Sequence, residues 1–130
     1  MSLDVPPALV EAAECGVLDD SDFVECVRDS LPYAWSLISG LVVQLHVEGG
    51  EYAANHTPPP DERARGQLLR ALASDAIRGA LERHFAVRLA FQNCHKVAVF
   101  RPAAGGSATH RDFTAPRAQI LNQTPELRDC

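Results

Sequence analysis

Lysine is nearly missing from this 130-residue chain: Lys96 is the only one, set against eleven arginines. With a high alanine content, that ratio points to codon bias in a GC-rich genome rather than to selection for bidentate contacts. No stretch reaches the ~18–20 uninterrupted apolar residues of a membrane span. The opening Met-Ser-Leu-Asp-Val-Pro-Pro lacks the basic flank and apolar core of a secretory signal. A cytoplasmic protein without membrane contact is therefore expected. The four cysteines (Cys15, Cys26, Cys94, Cys130) form no CxxC pair, which removes the zinc-knuckle and thioredoxin-type motifs and leaves free thiols as the expectation. Cys130 is the last residue rather than the fourth from the end, so it makes no prenylation box.

Catalytic signatures are absent as well. Gly105-Gly106-Ser107 has no downstream Lys-Ser/Thr to make a phosphate loop, and Gly49-Gly50 is a helix stop. There is no HExxH, GxSxG or kinase signature. Asp19-Asp20-Ser21-Asp22 lacks the glycine and terminal glutamate of a calcium loop and suits a helix start instead. The sequons at Asn55 and Asn122 have no meaning in a bacterial-like cytoplasm. No catalytic residue, metal site or cofactor is assigned, and a non-enzymatic protein is expected.

What is present is an ordinary globular composition, 46% hydrophobic and 22% charged, of a length that suits one domain. Its charge is split. Residues 1–62 hold twelve acids and one base, Arg28; residues 63–130 hold five acids and eleven bases. The two halves can pack and neutralise each other, or the second can present a basic face.

Hydrophobic spacing predicts helices over about Pro6–Cys15, from Asp19–Ser21 onward, and over Tyr33–Val47, with Ser30 as the cap of the last. Residues 51–60 read as a loop, stiffened by Pro58-Pro59-Pro60. From Asp61 to Phe85, Leu69, Leu72, Ala73, Ala76, Ile77, Ala80 and Leu81 recur at helical steps, predicting one helix roughly 37 Å long at ~1.5 Å per residue. Arg78 and Glu82 form an i,i+4 pair on it. The period then changes to two: Val87, Leu89 and Phe91, followed by Val97 and Val99, predict a β-hairpin turning at Asn93-Cys94-His95. A lone hairpin is marginal, so it must pack on helices or pair with another strand. Short helical pieces follow, limited by Pro116 and Pro125, with a last capped turn at Thr124-Pro125-Glu126-Leu127. The expected fold class is α+β, mainly α, a helical core with a long central helix followed by the hairpin.

Two residue sets carry candidate chemistry. Arg83, Arg88, Lys96, Arg101 and Arg111 surround the hairpin and could contact phosphates, although the chain as a whole is acidic, with a pI near 5.4, and has no helix-turn-helix spacing. His84, Cys94 and His95 could form a ligand or redox site if the hairpin folds back on the preceding helix; otherwise they are turn and surface groups.

Leu-Leu-Arg-Ala-Leu-Ala-Ser-Asp-Ala-Ile-Arg-Gly-Ala-Leu (68–81), Phe-Gln-Asn-Cys-His (91–95) and Asn-Gln-Thr-Pro-Glu-Leu-Arg-Asp-Cys (122–130) resemble a family of small actinobacterial, Streptomyces-like proteins of unknown function. The resemblance implies a cytoplasmic actinobacterial protein and transfers no catalytic residue, cofactor or partner. The expected function is a protein-interaction or regulatory module, self-associating as a homodimer or binding a protein partner. The alternatives are nucleic-acid binding through the basic hairpin and a small-ligand or metal-binding domain.

Overall fold

The computed structural model describes residues 2–93 and 95–123. Pro7 opens α1 (Pro7–Glu14), and Gly16 at φ 72° turns the chain left-handed after it. Asp19 caps α2 (Asp20–Ser30) by accepting from Ser21 N. The longest helix, α3 (Pro32–Glu48), stops at Gly49, φ 74°. Its N-terminus departs from the expected local cap. Leu31 holds the cap position and offers no oxygen, while Ser30 Oγ accepts from Asp4 N at 2.9 Å. Gln67, across the core, supplies the missing acceptor: its Oε1 takes Tyr33 N at 2.7 Å and Ala34 N at 3.3 Å. The other end of α3 is closed in the same way by Arg101, which donates to Leu45 O and Gly50 O.

Residues 51–60, expected to be loop throughout, contain a strand, β1 (Tyr52–Ala54). The helix expected over Asp61–Phe85 is two helices, α4 (Glu62–Ala73) and α5 (Asp75–Phe85). Ser74 is extended (φ −92°, ψ 117°), and its Oγ caps α5 by accepting from Ile77 N. The apolar period runs unbroken through this junction, and so conceals it. Arg78 bridges the break by donating to Leu72 O and pairing with Asp75, not with Glu82. Glu82 instead accepts from Leu89 N at 2.8 Å and faces Arg88.

The hairpin forms as expected, with β2 (Arg88–Gln92) antiparallel to β3 (Lys96–Phe100). β1 pairs along the other edge of β3, giving the sheet order β1-β3-β2. The hairpin thus finds its third strand within its own chain. Alternation sends Leu89, Val97, Val99 and Ala53 to one face, where they join Leu68, Leu72, Ile77 and Leu81 and the apolar side of α3 in the main core. Each fully buried Leu or Ile there contributes about 1.5–3 kcal/mol. The opposite face carries Ala54, Ala90, Ala98 and Phe100, covered by Phe113 of α6 (Ala108–Thr114). A short α7 (Pro116–Leu121) follows and buries none of its residues. The class is α+β, mainly α. Among the described residues no helix is long and apolar enough to cross a membrane. The turn expected at Thr124–Leu127, together with Cys94 and Cys130, lies outside the described residues.

Candidate functional site

Three of the five cations around the hairpin have partners within the chain. Arg83 is held by Asp20 of α2 in a two-point pair at 2.8 and 2.9 Å. This hydrogen bond lowers the Asp20 pKa and raises that of Arg83, and it ties the acidic half to the basic half on the surface. Arg88 lies 3.7 Å from Glu82, and Arg101 serves the end of α3. Of the five, Lys96, Arg101 and Arg111 have no ion pair among the described residues. Lys96 lies in a small cleft with Glu48, Tyr52, His56 and Phe113.

His84 and His95 are not brought together. His84 ends α5, with its ring 5.4 Å from Trp35 and 4.7 Å from Phe85. His95 sits at the far end of β2, whose five residues span about 16 Å at ~3.3 Å each. Among the described residues no group of three His, Cys, Asp or Glu is placed to hold a metal.

His95 itself is buried. Among the described residues its Nδ1 has no hydrogen-bond partner, and neither do the buried Asn93 Nδ2 and Asn122 Nδ2. Burial pushes its pKa below the ordinary value and the Lys96 charge adds to this, while the neighbouring Asn122 side chain acts the other way. The folded chain therefore favours neutral His95, and the unfolded chain binds the extra proton. This share of stability is complete above the unfolded value of about 6.5 and is lost as pH falls toward the lower folded value. Denaturant midpoints taken between about pH 7.5 and 5.5 should decline with acid, and His95→Gln should flatten part of that decline. An unchanged slope in the variant would remove His95 as the cause.

The more developed feature lies at the other end of the chain. The N-terminal segment is strapped to α2 by Asp4 N to Ser30 Oγ and by Cys26 Sγ to Asp4 O, and it lays α1 across α2. No residue of α1 is buried. One side of the junction is an open groove of about 410 Å³ whose apolar lining includes Leu3, Val5, Leu9, Val10, Leu18 and Phe23. On the other side is a second cleft of about 360 Å³, with Asp22, Glu25 and Asp29 on its wall. Glu14 lines the apolar groove itself, and residues 2–31 hold eight carboxylates against one arginine, Arg28, which pairs with Glu25 and Asp29, so the groove lies within a segment of net negative charge. Sequence reasoning missed this groove. The available signal was a scatter of exposed aliphatics, Val5, Val10 and Leu18, inside the most acidic stretch of the chain.

Another cleft, about 630 Å³, lies between α3 and residues 54–60 over Leu37 and Leu41. Its titratable lining groups are Tyr33 and His56, and burial raises the Tyr33 pKa. That set offers neither a nucleophile–base pair nor an ion clamp.

A protein-family model named KH_NucS_shadow, described as NucS shadow ORF, matches residues 1–130. No curated protein and no solved structure matches the chain.

Proposed function

From the premise that the chain belongs to the NucS shadow ORF family, we propose that it is a single-domain, non-enzymatic docking protein. Its working surface in this reading is the groove between α1 and α2. The observation that carries it is an open apolar floor, with Glu14 on its wall, set in a segment of net negative charge. Apolar anchors contribute affinity, and rim charges contribute steering and partner choice. The matching ligand is a basic amphipathic segment, a mode in which one helix face enters a groove.

A fluorescent helical peptide of alternating Leu and Arg faces should bind saturably, and more weakly as salt is raised. Val10→Glu, at an exposed groove position, should weaken it about tenfold, the loss of roughly 1.4 kcal/mol. Equal binding by the same peptide with Glu in place of Arg, or indifference to Val10→Glu, would sink this reading.

Nucleic-acid binding is the second reading, favoured by the KH in the name of the family model. KH modules clamp a nucleotide backbone with a GXXG loop. This chain has no GXXG anywhere. Its helix–helix turn, residues 73–76, carries the Asp75 carboxylate and spends Ser74 Oγ on the α5 cap, which disfavours close approach of a phosphate. A docking role requires that cells make the protein, so its peptides should be detectable by mass spectrometry of a host lysate.

A further inference from the structure

The α1–α2 groove calls for an apolar segment flanked by positive charge, and the chain carries one at its other end. α7 exposes Ile120 and Leu121, 72% and 65% accessible, beside the exposed Arg117. Across residues 86–123 there are five cations and one carboxylate. Arg111 and Arg117 have no ion pair among the described residues, and α7 buries nothing of its own. Two surfaces of one molecule are therefore complementary in both charge and hydrophobicity. They also lie on opposite sides of the sheet. α2 packs with α3 and α5 in the main core, while α6 covers the Phe100 face.

We propose that the occupant of the α1–α2 groove is the α6–α7 end of a second copy of this chain. The proposal rests on the docking reading above and names its partner. Ile120 and Leu121 enter the groove beside Val10 and Leu18, with Arg117 set against the carboxylates of α1 and α2. Because groove and plug differ, the contact is head-to-tail: each copy keeps one free groove and one free plug, and association continues into rings or open chains. A six-residue helix makes a small contact, so the assembly is weak, concentration-dependent and loosened by salt.

Light scattering behind size exclusion tests this directly. At low salt the mass should rise above 14.1 kDa with protein concentration, and return toward it at high salt. A groove variant, Val10→Glu with Leu18→Glu, and a plug variant, Ile120→Glu with Leu121→Glu, should each run as monomers. All four positions are exposed, so circular dichroism and melting should match the parent chain. Mixed one to one, the two variants should form a discrete heterodimer, since the intact plug of one meets the intact groove of the other. Failure of the mixture to associate, or continued self-association of either variant alone, would overturn the proposal. A monomeric parent chain that still binds the Leu/Arg peptide would remove the second copy as occupant and leave the docking reading standing. A monomeric chain that ignores the peptide would remove both.

Discussion

Phe100→Ala is expected to lower folding stability by about 3–5 kcal/mol, the usual range for deleting a buried aromatic ring. Phe100 is fully buried. Its ring stacks on Tyr52 at 5.1 Å and meets His110 and Phe113 edge-on at 5.0 and 5.9 Å. The buried residues around it are Ala54, Ala90, Ala98 and Ala104, side chains with no atoms to spare for refilling the space. The cavity therefore persists, and its cost adds to the lost transfer energy. Against a total stability of roughly 5–15 kcal/mol, the loss is a large fraction. It also has a location. α6 rests on this ring, so hydrogen exchange over residues 108–121 should accelerate more than exchange in α4 or α5. Phe100→Leu keeps most of the volume and should cost less than half as much. A free energy of unfolding in urea for Phe100→Ala within about 1 kcal/mol of the parent would contradict this account of the outer sheet face.

Asn55→Leu should cost about 2–4 kcal/mol, although leucine is close to asparagine in size and more apolar. Asn55 is buried just after β1, where its backbone N still donates to Val97 O at 3.3 Å and its side chain extends the ladder. Oδ1 accepts from Val97 N at 2.9 Å, and Nδ2 donates to His95 O at 2.8 Å and Thr57 O at 3.0 Å. Removing one partner leaves a buried N–H and a buried carbonyl without a mate, about 1–3 kcal/mol for each such group. The gain from burying leucine offsets part of this. The same substitution frees the hairpin tip from residues 55–57, so exchange at Val97 should rise with the loss of stability. A neutral or stabilising result would mean that water reaches both groups and that Asn55 is not structural.

The contrast between these two residues shows how legible the chain was. Phe100 lay in a visible period-two run. Asn55 was set in an expected loop, because β1 has only three residues, and its partners are 40 and 42 positions away. Likewise Arg88 and Arg101 read as free cations beside the hairpin, yet one faces Glu82 and the other closes α3. The groove was equally hidden. Its lining comes from Leu3 to Cys26, but only the docking of α1 on α2 makes those aliphatics one surface.

Local chemistry by itself determined the α+β class, the starts of α1 and α2 at Pro7 and Asp19, the stops at Gly16 and Gly49, and the alternating hairpin turning at Asn93, whose φ of 54° an asparagine tolerates well. Those features depend on neighbours within a few positions, and a linear pattern records them. The break at Ser74, the third strand, the capping of α3 by Gln67 and Arg101, the Asp20–Arg83 pair and the α1–α2 groove were decided by tertiary structure alone. Each joins groups that share no sequence period, or interrupts a period that continues unbroken. Which polar group finds which partner is then settled by burial, since a donor left unpaired in the core costs more than any local preference returns.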